Sequence, residues 1–267
     1  MNDEDALSFV LGEIGSYAGV DQLMVIGAVC RNIHQASFRD TAPSRSTDDI
    51  DIGVVVEGWE TIRELQRAFP SASGAWQEIE VGGITVDIVP FGSVESPPGE
   101  VAVGDGIVMN VAGFREVFGC SDIYETTDGV RFRIPSVAGL AALKLHAWLD
   151  RYPEGKYKDA QDLGLIIAWY ATGDDVWLFN RFFEFKRADE AEVSEVMAAF
   201  VLGIEVAEVL GETASAYLLQ RFKDETEIGL DLFAEKLVAP GEYWASAKVR
   251  SDQVRALLDG LACGGAG

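Results

Sequence analysis

The run DIDIGVVV places Asp49 and Asp51 two residues apart at the start of an otherwise apolar strand. Alternate residues of a strand point to one face, so these carboxylates project side by side while Ile50, Ile52 and Val54 face the other way. Like charges held close repel, and a cation between them is what such a pair calls for. Hard oxygen ligands at this spacing suit Mg²⁺ or Mn²⁺. A third carboxylate, Asp87, interrupts the run ITVDIVP. Its burial there would be costly without a partner or a metal. If the two strands are neighbours, Asp49, Asp51 and Asp87 converge. Three carboxylates holding two divalent cations would suit in-line phosphoryl transfer.

Upstream, LMVIGAVCRNIH reads as a strand, a tight turn at Gly27 and Ala28, and a helix. Small residues at such a turn let backbone N–H groups approach a phosphate, which the helix N-terminus favours. The elements that must hold these groups follow from periodicity. An amphipathic helix is expected over 6–18, and WETIRELQRAF has helical spacing at Ile62, Leu65 and Phe69. AWQEIEVGGITVDIVPF is a hairpin turning at Gly82-Gly83, and IYETTDGVRFRIP is a second one turning at Asp128-Gly129. The polar, basic loop ASFRDTAPSRST leads into the first aspartate strand, and SPPGE reads as a loop.

From Pro135 the pattern becomes nearly all helical: PSVAGLAALKLHAWLDRY, KYKDAQDLGLIIAWYA, DDVWLFNRFFEF, the segment 188–210 and TASAYLLQRF. Beyond Glu227 the helical pattern weakens, and CGGAG reads as a frayed end. The expected fold is α+β: a small mixed sheet with flanking helices over 1–134, then a helical region over 135–267. Trp169, Trp177, Phe179, Phe182 and Phe183 are expected in the helical core rather than on a base-stacking surface. His146 is expected to pack or cap within its helix, His34 to be exposed, and Asp48 to face outward.

Among 267 residues, 44 acidic groups against 21 basic ones give a net charge of −23. Such a field opposes generic nucleic-acid binding and favours a cationic or neutral partner, or simply keeps the chain soluble in salt. Five arginines (Arg31, Arg39, Arg45, Arg63 and Arg67) flank the aspartate pair and could form a local basic rim. No apolar run reaches the roughly 18 residues of a membrane span. The acidic start MNDEDALSFVLGEIG is unlike a secretory signal. Three cysteines without a metal-type spacing fit a reducing, cytoplasmic setting.

Gly27-Ala28, Arg31, Arg45-x-Thr47-x-Asp49-Ile50-Asp51 and Asp87 together resemble the DNA polymerase β-type nucleotidyltransferase superfamily. Within it the chain is most similar to the AbiEii/AbiGii toxin-type nucleotidyltransferases. That branch carries a helical signature matched by Lys144-Leu145-His146-Ala147-Trp148, Arg151, Lys158-Asp159 and Asp162-Leu163. Two features depart from the pattern: a longer stretch between Gly27 and Asp49, and Ala28 where many members have Gly or Ser. The resemblance implies a Mg²⁺- or Mn²⁺-dependent enzyme that moves an NMP from an NTP to RNA, protein or a small molecule. It also implies a toxin role with a protein antitoxin as partner. Gly27, Ala28, Arg31, Lys144, Asp159 and Asp162 would then bind nucleotide. Asp49, Asp51 and Asp87 would hold metal, and Asp87 would assist deprotonation of the acceptor. The alternatives are an antibiotic-type small-molecule nucleotidyltransferase and a non-catalytic nucleotide-binding protein. For Lys144, Arg151, Asp159 and Asp162 an interhelical salt bridge competes with a nucleotide role. On the nucleotide reading, Lys144→Ala weakens NTP binding without unfolding the protein.

Overall fold

The computed structural model describes residues 3–38, 49–104, 106–186, 190, 192–239 and 245–265. The chain divides into two units, Met1–Ser136 and Val137–Gly267. The fold is mixed α/β, with a six-stranded mixed sheet and a C-terminal helical region.

In the first unit, helix α1 (Asp3–Ile14) precedes strand β1 (Leu23–Val25), which runs directly into helix α2 (Gly27–Phe38). Strand β2 (Asp49–Val56) is followed by α3 (Glu60–Ala68), and β3 (Glu78–Val81) and β4 (Ile84–Gly92) form the first expected hairpin. Strands β7 (Asp122–Glu125) and β8 (Arg131–Ile134) form the other. The sheet order is β3-β4-β2-β1-β8-β7. Gly82 and Gly83 both have positive φ, +60° and +84°, as a two-residue hairpin loop with right-handed strand twist requires. That loop pairs Val81 with Ile84 and therefore Glu78 with Asp87. Ile50, Ile52, Val54, Val86 and Ile88 are buried beneath the sheet, as the alternation implies.

One element was not visible in the pattern. Strands β5 (Glu100–Gly104) and β6 (Ile107–Asn110) form a separate two-stranded sheet where a loop began. Val101 packs with Phe91 and Val111, while Ile107 and Val108 stay exposed, so the hydrophobic alternation is weak. Short helix α4 (Phe114–Gly119) follows as expected near GFREVFG.

The second unit comprises α5 (Val137–Arg151), α6 (Lys158–Ala171), α7 (Asp175–Phe183), α8 (Ser194–Lys223), α9 (Glu227–Lys236) and α10 (Ala247–Gly264). The two runs read as separate helices lie end to end in α8 and are divided at Gly211, whose φ of +70° and ψ of 174° leave the helical region, as the two-helix reading expects. The weakening expected after Glu227 is incorrect. Thr226 caps α9 through the Gly229 amide at 3.1 Å, and Ser246 caps α10 through the Val249 amide at 3.3 Å. Val254, Leu257 and Leu261 recur at helical spacing and are buried, and α10 runs through Cys263. Helices α8 and α10 cross closely at glycines: a Cβ on Gly203 would overlap the Leu257 carbonyl, and one on Gly260 the Phe200 carbonyl. The aromatic tract also divides. Trp169 and Phe182 are buried as expected, but Trp177, Phe179 and Phe183 are exposed. No helix among the described residues is long and apolar enough to cross a membrane.

Candidate metal centre

Strands β2 and β4 pair in parallel with Asp51 opposite Asp87 and Asp49 opposite Thr85. Opposite residues share a sheet face. The three aspartates consequently meet: one carboxylate oxygen from each lies within 4.8 Å of the others, and all three side chains are half-buried. Three like charges this close destabilise one another unless a cation neutralises them, and an all-oxygen donor set fits Mg²⁺ or Mn²⁺.

The start of α2 is locked onto this cluster. The Ile26 amide donates to the Asp51 carbonyl at 3.0 Å, which sets Gly27 against the Asp51 side chain. Gly27 has φ +64°, and a Cβ at this position would overlap the Asp51 carboxylate. Only glycine fits both the left-handed backbone and the close approach. The first turn of α2, with the partial positive charge of a helix N-terminus, therefore begins beside the carboxylates. Ala28 is half-buried in that turn. Arg31 is 2% exposed, and its guanidinium donates to Asn32 Oδ1 at 2.7 and 3.1 Å.

That burial removes Arg31 from any exposed basic rim. Arg63 and Arg67 lie 3.6 and 3.2 Å from Glu60 carboxylate oxygens on α3. Arg39, Arg45, Thr47 and Asp48, and with them most of the expected basic loop, lie outside the described residues.

One acidic neighbour escaped the sequence reading. Glu78 stands opposite Asp87 and extends the carboxylate row across β3. Ser71, which donates to its carboxylate, and then Ser73 hold its pKa below the usual value. Counting back from the Gly82-Gly83 turn would have found it, because a two-residue loop determines which residues face each other.

Lys144, Asp159 and Asp162 belong to the second unit. The buried Lys144 ammonium lies 3.0 Å from Asp159 Oδ1 and 2.8 Å from Asp162 Oδ2, and Arg151 Nη1 lies 3.5 Å from Asp159 Oδ2. Burial alone would lower the Lys144 pKa, but the Asp162 and Asp159 charges outweigh it and raise the pKa. This is the interhelical ion-pair arrangement between α5 and α6.

Both histidines are shielded. His34 is half-buried rather than exposed, with Nε2 2.8 Å from the Pro135 carbonyl, and burial lowers its pKa. His146 is buried in α5, stacks on Tyr217, and accepts from Arg221 Nη1 at 3.1 Å. Burial and then the Arg221 charge bring its pKa down to about 3. An unfolded histidine takes up its proton near pH 6.5, whereas the folded one resists until about pH 3. The stability tied to neutral His146 is thus complete above pH 6.5 and lost as pH falls toward 3. Between pH 7 and 5 this costs about 2 kcal/mol. In His146→Gln the drop in urea midpoint over that range should shrink. An unchanged pH dependence would refute the assignment.

No family model matches the chain, and no curated protein or solved structure compared with it matches.

Proposed function

We propose that this protein is a metal-dependent nucleotidyltransferase of the polymerase β type, moving an NMP from an NTP to an acceptor with release of pyrophosphate. The observation that carries the reading is the convergence of Asp49, Asp51 and Asp87 on one sheet face, with a glycine-started helix against Asp51. The donor set suits Mg²⁺ or Mn²⁺, held by those three carboxylates. When bound, the metal supplies neutralisation of triphosphate charge and activation of the attacking hydroxyl. Asp87 accepts the hydroxyl proton as the acceptor oxygen bonds to the α-phosphorus and the bond to pyrophosphate breaks. Backbone amides at Gly27 and Ala28 receive a phosphate oxygen. Lys144, Asp159 and Asp162 act as a structural ion-pair group supporting the helical region rather than as direct phosphate contacts.

The net charge of −23 favours a neutral or cationic acceptor, such as an aminated small molecule, over RNA. A toxin role with a protein antitoxin rests on the resemblance of the motifs alone. The test is incubation of the protein with each α-labelled NTP, with Mg²⁺ or Mn²⁺, in a cell lysate. Metal-dependent transfer of label to an acceptor is the expected result. Tight metal-dependent NTP binding with no transfer in any of the four reactions would leave a non-catalytic nucleotide-binding protein, and the enzyme reading would fail.

A further inference from the structure

Helix α7 is held to its unit by one face and leaves the other bare. Leu178 and Phe182 are buried, and Phe182 packs edge-on against Phe200 with ring centres 5.3 Å apart. On the adjoining side, about a third of a turn away, Val176, Phe179 and Phe183 recur at i, i+3 and i+7 and are 69%, 39% and 38% exposed. This spacing lines one side of a helix over about two turns. The stripe is already ordered: Phe179 and Phe183 stack with centres 6.1 Å apart, and the exposed Trp177 beside it meets Tyr170 edge-on at 5.7 Å. Exposed aromatic side chains gathered on one face are a feature of interaction surfaces.

The charges around the stripe choose among occupants. Arg181 is shared between Glu184 and Glu208, and Lys186 lies 3.7 Å from Glu190. Asp174 caps the helix through the Trp177 amide at 3.0 Å, and Asp175 follows it. Among the described residues named here, two cations therefore stand among five carboxylates. Nucleic acid could stack on the rings, but its phosphates would meet this excess of negative charge. A second copy would bring the same excess against it. Positive charge flanking an apolar seam satisfies both the rings and the carboxylates.

We infer that the Val176–Phe179–Phe183 face of α7 docks a cationic amphipathic helix of a partner protein, leucine-like side chains against the rings and lysines or arginines toward Asp175, Glu184 and Glu208. The probe is a fluorescent Leu/Lys peptide of about five helical turns with its leucines on one face. Its binding to the full chain is followed by anisotropy. Phe179→Ser with Phe183→Ser should weaken binding at least about tenfold. Asp175→Lys with Glu184→Lys, which leaves the rings in place, should do the same. A scrambled Leu/Lys peptide of equal charge should bind at least about tenfold more weakly than the amphipathic one. Equal affinity for the two peptides, or for both variant pairs and the wild type, would overturn the inference. So would equal binding of a Leu/Glu helix. Binding of a poly(U) strand abolished by the serine pair would make the face a base-stacking surface. A sedimenting dimer broken by the same pair would make it a self-association surface.

Discussion

Replacing Gly27 by alanine should destabilise the protein by about 1–3 kcal/mol and, on the proposed function, weaken Mn²⁺ binding and nucleotidyl transfer at least about tenfold. Two costs add at this position. Alanine resists φ +64°, and its methyl group would occupy the space of the Asp51 carboxylate. The easiest relief is rotation of Asp51 away from α2, which takes an oxygen out of the group shared with Asp49 and Asp87. Gly58 is the control. No heavy atom lies within 4 Å of a Cβ placed there, so Gly58→Ala should leave metal binding intact. Asp51→Asn separates chemistry from crowding: it preserves the side-chain shape and removes the charge that, on the proposed function, would hold a divalent ion. Calorimetric titration with Mn²⁺ and urea denaturation read the two consequences apart. Wild-type Mn²⁺ affinity in Gly27→Ala would break the proposed link between the turn and the metal site.

Lys144→Ala should destabilise the protein by about 3–5 kcal/mol, because it removes the buried cation that Asp159 and Asp162 share and leaves Asp159 with only the half-exposed Arg151 at 3.5 Å. This reverses the expectation that the substitution leaves the fold intact. That expectation counted the cost of burying an ammonium and not the cost of the two carboxylates facing it. The lysine pKa is raised in the folded state. Its contribution is therefore complete below the ordinary lysine value of about 10.4 and lost only as pH rises through the higher folded value. At pH 7 the full effect should appear. Lys144→Met combined with Asp159→Asn and Asp162→Asn removes the charges together and should recover most of the loss. A shift in the urea midpoint of Lys144→Ala no larger than that of an exposed lysine, such as Lys248→Ala, would show that the ion pairs contribute little. Loss of metal-dependent NTP affinity in a fully folded Lys144→Ala would restore the phosphate-contact reading.

How far the chain declares itself depends on the range of the interaction involved. Strand alternation in DIDIGVVV and ITVDIVP determined that Asp49 and Asp51 share a face and that Asp87 stands alone among apolar neighbours. The Gly82-Gly83 turn determined the register of β3 on β4, including the overlooked Glu78. Helical spacing identifies α5 and α6, and the buried Val254, Leu257 and Leu261 of α10 carry the same signal. These are local matters, decided by backbone geometry within a few residues.

The meeting of Asp87 with Asp51 was decided only by tertiary structure, because β2 and β4 are separated by α3 and β3 and pair through a crossover. The same holds for Gly27 under the Asp51 carboxylate, for the two aspartates around Lys144, and for the burial of Arg31. The aromatic tract of α7 shows the limit most clearly. Periodicity assigned Phe179, Phe182 and Phe183 to a helix, but only the packing of Phe182 against Phe200 chose which face is covered. A side chain's direction follows from its own backbone. What it faces depends on residues far along the chain, and the sequence pattern carries no term for them.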